Sequence, residues 1–197
     1  MGEDKDEVVL VVGDSIVKET GQIAEGLGVM LGVRRENVVV NSVSGGYLGG
    51  VGKCVRIEME RAKAQGKKVG KVIVHAGTNN IGNKKSGPGG YYDDLNKMAE
   101  DVERVVGGAG LFFSQVLPRT DRTTGGGLLG TIRKLNEGGE KKLKRRKWGI
   151  LGNKDIWTES NEWDRCIFYD RIHLDHDGIT KLVVGWGQDL RAKLERA

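Results

Sequence analysis

The chain has 197 residues, enough for one domain of ordinary size around one hydrophobic core. A chain this long buries about 70% of its unfolded surface, so it needs no disulfide scaffold to fold. Its formal charge of +5 and pI near 9.2 permit contact with a polyanion without requiring it, and no run of eighteen apolar residues marks a transmembrane helix.

Residues 1–6 are largely acidic and are expected to be a flexible segment ahead of a single domain over 7–197. A signal peptide would need a positive start and an apolar core there, so the expected setting is intracellular (cytoplasmic) unless a leader has been removed. Cys54 and Cys166 show no metal-type spacing to each other or to the three histidines, so a reducing compartment and no metal are expected.

Val8 to Val12 is a continuous aliphatic run, the pattern of a strand buried on both faces. Ile16, Ile23, Leu27 and Leu31 follow at helical spacing. Val38 to Val40 predicts a second short strand, and Val51, Val55, Ile57, Met59 and Ala62 a helix that ends near Gly66. Val72-Ile73-Val74 predicts a third strand, then a long polar loop to about Gly90. Leu95, Met98, Val102 and Val105 place a helix over Tyr91 to Val106.

Leu111-Phe112-Phe113 predicts the fourth strand, closing at Leu117-Pro118. Leu128, Ile132 and Leu135 open a helix that is expected to break at Gly138-Gly139 and resume toward Leu143. Trp148 to Leu151 predicts a fifth strand. The segment from Gly152 to Ile172, with Trp157 and Trp163, has no clear period. Asp177 to about Leu194 predicts a last helix with Ile179, Leu182, Val183, Trp186 and Leu190 on one face. The 32 glycines are about twice the usual share, so clusters such as Gly89-Gly90, Gly107-Gly108 and Gly125-Gly126-Gly127 are read as loops. Alternating short strands and amphipathic helices predict an α/β fold: a doubly wound parallel sheet with helices on both faces. Its ligand site is expected beyond the carboxyl ends of the strands.

The unusual polar residues fall where that rule puts a site. Ser15 follows the first strand and opens a helix, where its hydroxyl stands at the sheet rim and its N–H can meet developing negative charge; an N-cap serine has the same pattern. Asn79 follows the third strand in His75-Ala76-Gly77-Thr78-Asn79-Asn80, as an uncharged donor to an oxyanion or as a turn asparagine bonding its own backbone. Asp170 stands three residues before His173, a spacing that lets a carboxylate reach Nδ1 and leave Nε2 free as a base. His75 is read as a core residue, and His176 as an exposed residue near a helix cap.

Val12-Gly13-Asp14-Ser15, Ser44-Gly45-Gly46, Gly77-Thr78-Asn79-Asn80 and Asp170-Arg171-Ile172-His173 together resemble the four blocks of SGNH (GDSL-like) hydrolases, in order and across nearly the whole chain. The resemblance implies a flavodoxin-like three-layer α/β/α sandwich with a five-stranded sheet. It implies Ser15 as nucleophile, His173 as general base and Asp170 as its orienting carboxylate. The oxyanion hole would comprise the N–H of Ser15, the N–H of Gly45 (or of Gly46, one residue on) and the side chain of Asn79. Two positions depart from the family pattern, Ile16 for leucine and Asn80 for aspartate. Val74 to Gly82, Ser114 to Arg119 and Arg171 to Leu174 resemble esterase-type domains encoded by LINE-like retrotransposons, which implies an RNA-associated setting. The expected activity is hydrolysis of small acyl esters, acetyl or short-chain lipid or carbohydrate esters, with no cofactor. The competing reading is a weakly active or inactive SGNH-fold module that contacts RNA, lipid or protein. The basic run Lys141 to Lys147 is read first as a solvated helix end favoured by the helix dipole, and second as a nucleic-acid contact.

Overall fold

The structure is a computed structural model that describes residues 7–81, 87–118, 127–156, 167–170 and 172–194. The N-terminal segment expected to be flexible, and Trp157 and Trp163, lie outside these residues. Five strands form one sheet: β1 (Val8–Gly13), β2 (Val38–Ser42), β3 (Val69–His75), β4 (Gly110–Ser114) and β5 (Gly149–Leu151). Every pairing is parallel and the order is β2-β1-β3-β4-β5. This is the flavodoxin-like doubly wound order, in which the chain changes winding direction between β1 and β3.

Successive side chains on β1 point to opposite faces, so one strand seeds two cores. Val9 and Val11 pack with α1 (Thr20–Leu31) and α6 (His176–Leu194) through Ile23, Leu27, Leu182 and Trp186. Leu10 and Val12 pack with α2 (Leu48–Ala64), α4 (Gly87–Val106) and α5 (Gly127–Arg145) through Val51, Leu95, Met98 and Ile132. The result is the three-layer sandwich, and both faces of β1 are apolar because both are covered.

Local structure departs from the sequence pattern in three places. The stretch after β3 is not a loop throughout: Thr78–Ile81 forms a short helix, α3, and α4 begins at Gly87, so Gly89-Gly90 lie inside it. Pro88 falls in its first turn, where a proline's missing N–H breaks no intrahelical bond. Similarly, α5 begins at Gly127 and runs unbroken through Gly138-Gly139. A Cβ at Gly138 would meet the Tyr92 hydroxyl at 2.1 Å, and one at Gly139 would meet Leu95 at 3.1 Å. These glycines let α5 lie close against α4; tertiary packing outweighs the roughly 1 kcal/mol that each glycine costs a helix. Finally, α1 starts at Thr20, because Ser15–Val17 forms a separate 3-10 turn.

His75 ends β3 in the core, fully buried. Its Nδ1 lies 2.8 Å from Ser114 Oγ, which is 3.3 Å from Asn153 Oδ1, and the Trp186 indole N–H donates to both oxygens at 3.0 Å. The assignment that satisfies most groups has Nδ1–H donating to Ser114 and the serine hydroxyl donating to Asn153. Nε2, without a hydrogen-bond partner among the described residues, is then a bare acceptor, cheaper to bury than an unpaired N–H.

Two outcomes are expected. A Cβ at Gly13 would lie 2.6 Å from the His75 carbonyl oxygen and 2.7 Å from Val17, and the carbonyl belongs to a paired strand that cannot yield. Gly13→Ala should therefore destabilise the fold by about 1–3 kcal/mol, read as a lower urea midpoint at unchanged m. Burial pushes the His75 imidazole down to about 3, against about 6.5 in an unfolded chain. Between these values the unfolded chain takes up a proton that the folded one refuses, so stability falls as pH falls, by up to about 1.4 kcal/mol per pH unit. His75→Asn should flatten this slope by about one proton, measured by urea titrations across the window; an unchanged slope would show that His75 is not its source.

Candidate active site

At the carboxyl end of β1 the chain turns sharply through Asp14. Asp14 is buried, and its carboxylate, not the Ser15 hydroxyl, caps the 3-10 turn by accepting the Ile16 N–H at 3.1 Å. The serine is thereby released from capping. Its N–H stands at the start of the turn with no acceptor among the described residues.

The partners of Ser15 arrive from the other end of the chain. Phe168 and Leu174 form an antiparallel bridge, the Tyr169 N–H bonds the His173 carbonyl at 3.2 Å, and the Asp175 N–H bonds that of Ile167 at 2.9 Å. This narrow hairpin is rooted by the buried Ile167 and Leu174, and it delivers Asp170 and His173 at its tip. His173 Nε2 lies 2.9 Å from Ser15 Oγ, and His173 Nδ1 lies 2.6 Å from Asp170 Oδ2. The other carboxylate oxygen of Asp170 accepts the N–H groups of Ile172 at 2.8 Å and of His173 at 2.6 Å. Burial disfavours charge on Asp170, but the hydrogen bonds from the His173 ring and from these two N–H groups outweigh it. They hold the carboxyl below its ordinary range and so ionised at neutral pH.

His176 takes no part in this relay. It is exposed at the first turn of α6, where its carbonyl accepts Gln22 and Thr180, while Asp175 caps the helix through the Gly178 N–H at 2.9 Å.

The three candidate oxyanion donors stand on loops that leave three adjacent strands, β1, β2 and β3. After β2 the chain makes a turn, closed by Gly46 N–H to Val43 carbonyl at 2.8 Å, with Gly45 at φ +65°. That bond consumes the Gly46 N–H. The Gly45 N–H has no acceptor among the described residues and Gly45 is exposed, so of the two glycines Gly45 retains a donor to offer. Asn79 lies in α3, and its Nδ2 donates to the Gly46 carbonyl at 3.0 Å, leaving one amide hydrogen of that nitrogen over. A second tie runs from the Val43 N–H to the Gly13 carbonyl at 2.8 Å.

Asn80, the position that departs from the family pattern, has a structural task. Its Oδ1 accepts the Leu48 N–H at the start of α2, and its Nδ2 donates to Asp94 on α4 at 2.7 Å. A neutral amide can both accept and donate there, which an ionised carboxylate cannot. Sequence reasoning missed this role, as it missed the cap at Asp14 and the pairing of Lys18 with Tyr169 beside His173. For Asp14 a signal existed, since Asp is among the strongest capping residues. For the other two nothing in the local sequence points across the 14 and 151 residues concerned.

The basic run at the end of α5 is partly neutralised. Lys144 pairs with Glu140, and Arg146 with Glu103 at 2.7 Å and Glu100 at 3.6 Å. Lys142 lies 5.5 Å from the centroid of the Tyr92 ring, and Lys142, Lys144 and Arg145 fall in the last turn of α5, where the helix dipole favours cations.

Chemically, a serine hydroxyl within hydrogen-bond reach of an imidazole, itself held by a carboxylate, is the geometry of an activated nucleophile.

No family model matches the chain, and no curated protein matches its sequence. Solved structures do match its fold. A GDSL-like lipase from Bacteroides thetaiotaomicron aligns with a TM-score of 0.70 and 15% identity, over 100% of this chain and 91% of that one. An acetylxylan esterase from Geobacillus stearothermophilus aligns with a TM-score of 0.68 and 16% identity, over 93% of this chain and 94% of that one. An alpha/beta hydrolase from the metagenome of Lake Arreo, Spain, aligns with a TM-score of 0.66 and 12% identity, over 93% and 94%. At these identities the likeness speaks for architecture: the chain has the fold of the GDSL-like hydrolases.

Proposed function

We propose that this chain is a serine ester hydrolase acting on small acyl esters, with Ser15 as nucleophile, His173 as general acid–base and Asp170 as orienting carboxylate. The observation that carries the reading is the unbroken relay of 2.9 Å from Ser15 Oγ to His173 Nε2 and 2.6 Å from His173 Nδ1 to Asp170. Ser15 Oγ attacks the ester carbonyl carbon as its proton passes to Nε2. The tetrahedral intermediate's oxyanion is met by the N–H groups of Ser15 and Gly45 and by the Asn79 amide. The imidazolium then protonates the alcohol oxygen, the C–O bond breaks, and the acyl group stays on Ser15. Water, losing its proton to His173, attacks the acyl carbon; the carboxylic acid leaves and the serine regains its hydrogen.

Short acyl groups suit the surroundings. Ser44, Gly45 and Tyr169 are exposed and the Asp170 side chain is 44% exposed, so the residues of the site open to solvent. The acetylxylan esterase named above, of like fold, supports acetyl esters as the first class to test. The ion pairs of Lys144 and Arg146 with helix carboxylates favour the enzyme over an RNA-contacting module.

A panel of nitrophenyl esters from acetyl to long chain tests the proposal. Turnover should be greatest for the short esters and vanish in Ser15→Ala, and a fluorophosphonate probe should label the wild type but not that variant. Labelling that persists in Ser15→Ala would falsify the assignment. Asn79→Ala should lower kcat about 100-fold or more with little change in KM. His173→Ala should abolish nearly all turnover and His176→Ala should be mild, with Asp170→Asn costing up to about 10⁴-fold through the wrong tautomer.

A further inference from the structure

The hydrogen bonds that orient His173 have a common limitation. Asp170, the Ile172 N–H and the His173 N–H all belong to the hairpin that carries the ring. They fix the imidazole relative to its own hairpin; the contact that crosses to the turn, Nε2 to Ser15 Oγ at 2.9 Å, is the one the reaction itself uses. Ile167 and Leu174 root the hairpin in the core and Phe168 and Ile172 pack against it, while Tyr169 and the Asp170 side chain stand in solvent, 55% and 44% exposed. A misplacement of about 1 Å between reacting groups costs on the order of 10²-fold in rate, so tip and turn need a tie of their own.

Such a tie is present in two side chains that the chemistry itself does not use. The Tyr169 ring stacks on the His173 ring, with centroids 5.7 Å apart and planes 14° from parallel. Its hydroxyl is hydrogen-bonded by the Lys18 ammonium, which also lies 4.6 Å from the Tyr169 ring centroid. Lys18 closes the 3-10 turn that Ser15 opens, three residues away. The hydrogen bond that Lys18 donates to Tyr169 raises the Lys18 pKa further above its ordinary value, and the side chain is an ammonium at neutral pH. Both residues are exposed, so neither is placed there to fill the core.

We propose that Lys18 and Tyr169 form a strap between the turn of Ser15 and the hairpin of His173, and that both are positioning residues: Tyr169 backs the imidazole and Lys18 anchors Tyr169. The proposal rests on the hydrolase reading above only in its kinetic consequence. The geometric consequence, an imidazole held in place, stands apart from any substrate.

The test therefore has two readouts on the full chain, with Lys18→Met, Lys18→Arg, Tyr169→Phe, Tyr169→Ala and the double variant Lys18→Met/Tyr169→Phe. The first is the far-downfield proton NMR signal of the His173 Nδ1–H bonded to Asp170, identified by its loss in Asp170→Asn. It should be sharp in the wild type, broadened by faster exchange in Lys18→Met and Tyr169→Phe, most affected in Tyr169→Ala, and restored in Lys18→Arg. The second is nitrophenyl acetate turnover. Lys18→Met and Tyr169→Phe should each lower kcat by roughly tenfold at unchanged KM. The double variant should be no worse than either single one, because both break the same contact. A signal and a kcat unchanged in all five variants overturn the strap, and so do effects confined to KM, which would make Lys18 and Tyr169 substrate contacts. A wild type whose signal responds as described but which turns over no ester overturns the hydrolase reading and leaves the strap standing.

Discussion

Strand β1 has parallel partners on both sides and not one exposed residue. Whatever leaves its carboxyl end is therefore held from two sides, by β2 and β3, and from two layers. Gly13 is the narrowest point: the chain passes so close to the His75 carbonyl that no side chain fits. The next two residues inherit that rigidity, so the buried Asp14 carboxylate closes the turn and Ser15 stands at its mouth. The winding reverses between β1 and β3, and in sheets of this kind that is where a ligand site lies. The loops after β2 and β3 reach the same end of the sheet, and single hydrogen bonds (Val43 to Gly13, Asn79 to Gly46) lash them together.

The site is therefore built in two halves of unequal stiffness. One half grows out of the buried ends of β1 and β3, with the loop after the edge strand β2 tied to them. The other half is a hairpin joined to the core by Ile167 and Leu174, with Phe168 and Ile172 packed against it, and its chemistry is local: a carboxylate holding the ring three residues on. Burial penalises the charge on Asp170, and the hydrogen bonds of the hairpin itself outweigh that penalty. Exposure brings freedom, which the Tyr169 stack and its Lys18 anchor limit.

Polar groups elsewhere show how the fold spends the same residue types on structure. Asn80, beside Asn79, joins the start of α2 to α4, while Asn79 itself is held by its bond to the Gly46 carbonyl. The His75–Ser114 pair has a separation much like that of His173 and Ser15, 2.8 against 2.9 Å, yet it is sealed from solvent. A serine–histidine contact is thus no evidence of reactivity in itself; access and a carboxylate partner distinguish the pair at the rim from the pair in the core.

Much of the architecture is legible in the sequence because it is encoded locally. The continuous aliphatic run Val8 to Val12 and the helical spacing of Leu95, Met98 and Val102 each report the burial of one segment, and alternation of such segments implies a parallel sheet with the polar turns at one rim. That is why Ser15, Asn79, Asp170 and His173 could be singled out before any coordinates. Glycine misled the reading at Gly89-Gly90 and Gly138-Gly139, since its helix cost is visible in the sequence while the approach of Tyr92 and Leu95 on α4 to Gly138 and Gly139 on α5 is not. The Asp170 spacing already favours His173 over His176; what only the tertiary structure decided are contacts between distant segments: the 2.9 Å approach of His173 to Ser15 across 158 residues, that Gly45 and not Gly46 keeps its N–H, and that Lys18 finds Tyr169. Local polarity determines which face of a segment is buried. Which side chains then touch depends on strand order and on the angle at which the layers pack, and these are properties of the whole chain.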